Sequence, residues 1–188
     1  MNKCFFIIIF ALLSLTGCGK TRELENRDYV MAIGIDDENG YSISASVSKP
    51  DKENSGAETM FTGNGESIEK AVENINGKTK GNIYMGLNRV MVVSEGFKGY
   101  GELINYFSNN VELSRDIVIV KAKDPYEILE AKNDDDSASK YIYNYFQDKK
   151  KVDMDRLMDY YNKGEEIVIP YVKKENERIV ITGGGSVY

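Results

Sequence analysis

The chain has 188 residues, with 24 Lys and Arg against 30 Asp and Glu and a formal net charge of −6. An acidic chain without a basic stripe argues against nucleic acid as a partner, because phosphate binding needs clustered cations. The absence of His excludes Ser-His-Asp and Cys-His catalysis and His-ligated metal sites, so we expect no catalytic residues, no metal and no cofactor.

The first 18 residues have the pattern of a bacterial lipoprotein leader. Lys3 precedes an apolar stretch over residues 5–13, which is shorter than the roughly 20 residues of a membrane span. Leu15-Thr16-Gly17-Cys18 follows and resembles the lipobox, in which the Cys thiol receives a diacylglyceryl group and the chain is cut just before it. We therefore predict a signal peptide over residues 1–17, cleavage between Gly17 and Cys18, and lipid attachment at Cys18.

Lipid on Cys18 would hold the mature chain on a membrane. One fatty acyl chain binds a bilayer only marginally, whereas two or more, palmitate among them, hold stably. Cys4 leaves with the leader, so the mature chain would have no free thiol and no disulfide. The polar residues 18–28 predict a tether between the lipid and the fold.

A hairpin is predicted at the start of the folded part. Tyr29–Ile35 is a near-continuous apolar run, which is typical of a buried strand. Tyr41–Val47 alternates apolar and Ser residues, which predicts a strand with one buried face. Asn39-Gly40 between the two runs favours a tight turn, because both residues tolerate a positive φ.

Residues 50–65 predict a loop with one short strand at Thr59–Thr62. A helix follows, with Ser67 as its cap, Gly77 at its end and an apolar stripe at helical spacing. Gly63-Asn64-Gly65, just before this helix, is a weak candidate for anion binding by backbone amides.

Two further buried strands are predicted at Arg89–Val93 and Ile117–Val120, with helices near residues 97–108 and 125–131. Asp124 caps the last of these helices and Pro125 occupies its first position. Residues 29–132 therefore predict an α/β domain of the mixed α+β kind, with a mixed β-sheet flanked by helices.

The remaining residues, 133–188, predict a helical subdomain. It contains an aromatic helix, then a helix capped by Asp153 and ended by Gly164. A strand over residues 167–170 is expected to stop at Pro170, and a second begins at Arg178. Gly183–Gly185 then predicts a flexible joint.

Three clusters have a chemical as well as a structural interpretation. Asp36-Asp37-Glu38 and Asp134-Asp135-Asp136 do not have the spacing of a calcium loop, and we interpret them as turns or helix starts. Glu165-Glu166 is not a pair of hydrolase acids if it lies on a strand, because adjacent strand residues face opposite ways. The third cluster consists of tyrosines that are either core residues or the lining of a groove, at positions 141, 143, 145, 160 and 161.

The order of these elements resembles the C-subunit lipoproteins of bacterial spore germinant receptors, the Ger(x)C family. The resemblance spans nearly the whole chain, and its residues include the lipobox, Arg22-Glu23-Leu24, Gly34-Ile35-Asp36, the helix around Ala71, Gly86 with Arg89–Glu95, and Arg115–Lys123 leading into Ile128-Leu129. Two positions depart from it: Gly19 follows Cys18 where the family usually has Trp, and Leu87 follows Gly86 where it often has His. Gly183–Gly185 resembles the boundary to a C-terminal domain that is absent from this sequence.

The resemblance implies a membrane-anchored lipoprotein subunit of a nutrient germinant receptor that acts in spore germination. Its partners would be the membrane, through lipid on Cys18, and the multi-spanning A and B receptor subunits. It would lie on the inner spore membrane, facing outward, and would not be an enzyme. Two alternatives stay open: a solute-binding or scaffold lipoprotein of the cell envelope, and a carboxylate-dependent cell-wall hydrolase.

Overall fold

The computed structural model describes residues 27–48, 58–79, 82–110, 112–133 and 136–187. The strands are β1 (Arg27–Asp36), β2 (Tyr41–Ser48), β3 (Glu58–Gly65), β4 (Asn82–Tyr84), β5 (Val90–Ser94), β6 (Val118–Ala122), β7 (Lys132–Asn133), β8 (Asp136–Ser137), β9 (Ile167–Glu175) and β10 (Arg178–Val187). The helices are α1 (Ile68–Asn76), α2 (Tyr100–Asn109), α3 (Pro125–Glu130), α4 (Ala138–Tyr145) and α5 (Met154–Lys163).

Eight of the strands form one mixed sheet in the order β10-β9-β6-β5-β1-β2-β3, with β4 beside the first part of β1. β1, β5, β6 and β9 are parallel neighbours, whereas the pairs β1–β2, β2–β3 and β9–β10 are antiparallel. The predicted fold class, a mixed sheet flanked by helices, is therefore confirmed. The predicted division near residue 132 stays a prediction, although strands from both sides of it join this sheet.

The strands predicted to be buried do form the core. Ile33, Ile43, Val92 and Ile119 are at most 3% exposed. Ile33, Ile43 and Ile119 belong to the cluster that α1, α2 and α5 cover on one face of the sheet. Val92 belongs to the cluster that α3 and α4 cover on the other face. The described residues therefore form helices, sheet and helices in three layers.

An extra residue in β1 changes which of its side chains face each layer. β1 and β2 pair in register from Ala32 onward, and the register shifts between Val30 and Ala32. Because strand residues alternate between faces, Val30 and Ala32 would share a face in a regular strand. Met31 is the bulged residue between them, so that Val30 packs with α1 and α2 while Ala32 packs with α3.

The helix ends follow the predicted capping chemistry. The side chain of Ser67 accepts a hydrogen bond from Lys70 N at 3.1 Å, and Asp124 and Asp153 cap α3 and α5 in the same way. Gly164 ends α5 with a φ of 67°, in the left-handed region that favours glycine. Gly77 ends α1 as predicted, in a right-handed conformation.

The strand predicted at Thr59–Thr62 is confirmed but is longer than predicted, because residues 58–65 form the eight-residue strand β3. Residues 50–57 of the predicted loop lie outside the described residues. β3 pairs with β2 along its whole length, from Glu58 to Gly65. Gly63 and Gly65 let α1 pack directly on this strand, since a Cβ at Gly63 would lie 2.2 Å from the carbonyl oxygen of Ala71. The two glycines therefore permit close packing of a helix on a strand, and anion binding by this segment stays a prediction.

Pro170 does not end the strand that contains it, and the glycines near the C-terminus do not form a free joint. β10 pairs with β9 on both sides of a register shift, with Thr182 opposite Tyr171 and Gly185 opposite Ile169. Two β10 residues therefore lie opposite Pro170, at a bulge where an N–H is not required. The predicted ends of both strands are wrong, since β9 runs to Glu175 and β10 to Val187, whereas the predicted start of the second strand at Arg178 is confirmed.

Candidate functional site

Cys18 and the predicted signal peptide lie outside the described residues, so lipid attachment and cleavage stay predictions. The described part begins with Arg27, nine residues after Cys18. Among the residues that the structure describes, no helix is long and apolar enough to cross a membrane.

The aspartates of the acidic turn between β1 and β2 accept hydrogen bonds from backbone groups of the fold. Asp36 Oδ1 accepts a hydrogen bond from Glu38 N at 2.8 Å. Asp37 Oδ2 accepts from Lys98 N and Gly99 N, both at 2.8 Å. Gly99 is the N-cap of α2 and has no side chain to cap the helix, so Asp37 caps it from another part of the chain. This confirms the structural interpretation of the cluster.

The second acidic cluster is only partly described, because Asp134 and Asp135 lie outside the described residues. Asp136 pairs with Lys140 at 2.6 Å on the first turn of α4. Within the described ranges, no group of three or more His, Cys, Asp or Glu side chains is placed to hold a metal ion.

A cleft of about 500 Å³ lies at the carboxyl ends of the parallel strands β1, β5 and β6. This is the edge where open α/β sheets commonly bind ligands. The lining contains both acidic and basic side chains, namely Asp36, Asp37, Glu38, Glu95, Lys98 and Lys123. Both signs of charge around one cleft suit a zwitterionic or polar small molecule better than a purely anionic one.

Lys121 lies in β6 close to this edge and is only 7% exposed. Burial lowers the pKa of Lys121 below its ordinary value, and the charge of Glu95 opposes that shift. A buried amine with a lowered pKa is a common feature of functional sites, but burial that serves only the packing of the fold lowers the pKa of a lysine as well.

Glu58, on β3, links α4 to the sheet through hydrogen bonds. Its carboxylate accepts hydrogen bonds from the hydroxyls of Ser137 and Ser139, at 2.7 and 2.6 Å, and also from Ser46 on β2. Hydrogen bonds to a charged acceptor stabilise more than neutral ones do. The cluster therefore links the first turn of α4 to β2 and β3, which lie in the N-terminal part of the chain.

A second cavity, of about 380 Å³, lies between the start of α2 and the end of α5, and we call it the α5 slot. Its lining consists of Tyr100, Leu157, Tyr161, Gly164, Glu165, Glu166 and Ile167. The prediction that the two glutamates lie on opposite faces of a strand is wrong, because β9 begins only at Ile167. The left-handed turn at Gly164 places both on the same cavity.

The tyrosines predicted to be core or groove residues divide between the two. Tyr141, Tyr143 and Tyr145 are partly buried against the α3–α4 layer, and Tyr160 is partly buried against the opposite layer. Tyr161 is 52% exposed and lines the α5 slot. Helical periodicity did not separate it from the others, since its exposure depends on how α5 lies against α2.

Leu87, one of the two positions that depart from the resemblance, lies in the turn between β4 and β5, whereas the other, Gly19, lies outside the described residues. Asn88 N donates to Met85 O at 3.0 Å, and Leu87 at the turn is 45% exposed. Gly86 lies under the Tyr84 ring, where a Cβ would come within 2.3 Å of the phenol oxygen. Glycine at position 86 is therefore explained by packing, whereas position 87 points to solvent.

Comparisons with known proteins agree with the resemblance. A family model described as "Spore germination protein N-terminal domain" matches residues 20–174, which covers most of the chain and nearly every element of the fold. No curated protein and no solved structure matches the chain. The chain therefore belongs to the family of spore germination protein N-terminal domains.

Proposed function

We propose that this chain is a lipid-anchored subunit of a nutrient germinant receptor and acts in spore germination through protein–protein contacts. The observation that carries the proposal is the family match over residues 20–174. The lipobox Leu15-Thr16-Gly17-Cys18 lies just before the matched residues. Under this proposal the chain lies on the outer face of the inner spore membrane, where it contacts the multi-spanning A and B subunits.

The distance between the anchor and the fold supports a position close to the membrane. Arg27 is nine positions after Cys18, and an extended chain spans at most about 3.5 Å per residue. The first strand therefore begins within about 30 Å of the modified cysteine. A tether of this length keeps the domain within reach of membrane-embedded partners.

The chemistry of the described residues supports a binding role. The sequence contains no His, so a catalytic acid or base would have to be another residue such as a carboxylate. The carboxylates of Asp37 and Glu58 accept two and three hydrogen bonds, respectively, from groups within the fold. Side chains held in this way orient elements of the structure. We propose that the subunit transmits contact between neighbours and does not carry out catalysis.

The cleft at the carboxyl ends of β1, β5 and β6 favours a second candidate function, a solute-binding lipoprotein. Its volume of about 500 Å³ lies within the range of small-molecule sites. The two functions differ in one consequence: a solute-binding protein would bind a small polar molecule as an isolated chain.

Replacing Cys18 by Ala tests the anchor. Cys18→Ala should move the protein out of the inner-membrane fraction of spores, or leave it with its leader uncleaved, because only a thiol can accept the lipid. Mass spectrometry of the N-terminal peptide should show diacylglyceryl on wild type alone, and nutrient-triggered germination should fall.

Cys4→Ala is the matched control, because Cys4 leaves with the leader and its loss should change neither fractionation nor germination. Membrane retention of Cys18→Ala with a normally cleaved N-terminus would refute the anchor. Normal nutrient response in a strain without this protein would refute the receptor role.

A further inference from the structure

The α5 slot places two carboxylates side by side, and the charge of Lys163 acts on one of them, Glu165. Glu165 and Glu166 are exposed and form no ion pair with any residue that the structure describes. The nearest basic residue in sequence, Lys163, is held by Asp159 at 2.7 Å. The C-terminal end of α5 adds the negative end of a helix dipole, equivalent to about half a charge.

Aromatic surface lies beside these carboxylates. The side chain of Tyr161 is 52% exposed. Its hydroxyl packs against Gly101 on α2, where a Cβ on the glycine would lie only 2.5 Å from the hydroxyl oxygen. The ring therefore lies close against the backbone of α2. An exposed tyrosine ring next to carboxylates is the usual environment for an organic cation, which gains both from the ring face and from the charge.

Tyr100 also lines the slot. Its side chain is 4% exposed, and its hydroxyl has no hydrogen-bond partner among the described residues. Burial and the nearby Asp37 carboxylate both raise its pKa, so it stays protonated. A hydroxyl of this kind remains able both to donate and to accept one bond.

We propose that the α5 slot binds the guanidinium or ammonium group of a basic side chain on a partner protein. The volume of about 380 Å³ is at the lower end of the range for ligand sites, which suits one side chain better than a larger ligand. The negative charge of the slot complements a basic side chain, and the exposed ring of Tyr161 provides apolar surface for its methylene stem. This inference deepens the proposed role as a contact subunit, and it names one surface for that contact.

The test is a titration of the purified full chain in neutral detergent, followed by the amide NMR signals of residues 161–167. The probes are N-acetyl-arginine methylamide, which mimics a side chain within a polypeptide, its uncharged analogue N-acetyl-citrulline methylamide, and free arginine. We expect the blocked arginine to bind about tenfold more tightly than the citrulline analogue, because only the first carries a charge.

Variants assign the effect to the slot. Glu165→Gln combined with Glu166→Gln should weaken binding of the blocked arginine about tenfold, and Tyr161→Leu should weaken it several-fold, whereas Tyr161→Phe should retain it. Glu175→Gln combined with Glu177→Gln makes the same change of charge on the β9–β10 turn and should have no effect. Unchanged thermal unfolding would show that each variant is folded.

Equal binding of arginine and citrulline derivatives, or equal loss in the control pair, would overturn the proposal. Binding of free arginine but not of the blocked derivative would overturn the assignment to a partner protein. Because the titration needs neither spores nor a membrane, its outcome is separate from that of the Cys18→Ala experiment.

Discussion

Substituting Ala for Gly63 should strongly destabilise the contact between β3 and α1. A Cβ at this position would lie 2.2 Å from the carbonyl oxygen of Ala71 and 2.7 Å from Cγ1 of Ile75. The first of these is a backbone atom within a helix, so no side-chain rotation can relieve the overlap. The helix itself would have to move, together with its buried residues Ile68 and Val72.

The cost can be worked out from two opposing terms. Overpacking of a core costs about 1–3 kcal/mol, and a clash with helix backbone belongs at the upper end of that range. Alanine also restricts the unfolded chain more than glycine does, and this lower entropy of the unfolded state stabilises the folded protein by about 0.4–1 kcal/mol, which offsets part of the cost. The net loss is about 2 kcal/mol, which for a chain of this length lowers the melting temperature by roughly 4–8 °C.

Urea unfolding followed by far-ultraviolet circular dichroism measures this loss as a lower midpoint with an unchanged slope. The matched control is Gly96→Ala, because a Cβ at Gly96 meets nothing within 4 Å and its φ is not in the left-handed region. We expect this control to be neutral or slightly stabilising. If Gly63→Ala and Gly96→Ala unfold at the same urea concentration, the packing argument is wrong.

Two further predictions concern the acidic turn and the tyrosines. Asp37→Ala should cost about 1 kcal/mol in urea unfolding because α2 loses its cap, whereas Asp37→Asn, which keeps an acceptor oxygen, should cost less. Burial raises the pKa of Tyr41 and of Tyr106 from 10 to about 12, so the stability that each contributes is complete below pH 10 and is lost as the pH rises to about 12. In a pH titration followed by phenolate absorbance, Tyr41 and Tyr106 should therefore ionise at higher pH than the exposed tyrosines. If all tyrosines of the folded protein ionised together near pH 10, the burial of these two side chains would be contradicted.

Local signals in the sequence predicted the layers of the fold well. The strands around Ile33, Ile43, Val92 and Ile119 were predicted because apolar runs and alternation report burial directly. The caps at Ser67 and Asp124 were predicted because capping needs only a side-chain oxygen at a fixed short spacing. Each of these signals depends on residues within about one helical turn.

The candidate site was less predictable, because its residues come from distant parts of the chain. Asp37 caps a helix that begins 63 residues later, and Glu58 binds hydroxyls about 80 residues away. Glu165 and Glu166 share one cavity because the turn at Gly164 is left-handed and β9 begins after them. Adjacent glutamates in the sequence do not show this arrangement.

By itself the sequence determined the predicted leader, the resemblance to the germinant-receptor lipoproteins, the burial of the central strands and the ends of most helices. Tertiary structure alone decided that β3 is a full strand, that Pro170 is accommodated by a bulge, and that β10 continues through the glycines, with Gly185 paired to β9. Propensity describes what a residue prefers when its neighbours in space are unknown. Pairing with β2 and β9 outweighed those preferences, because each ladder satisfies backbone groups that would otherwise lack partners.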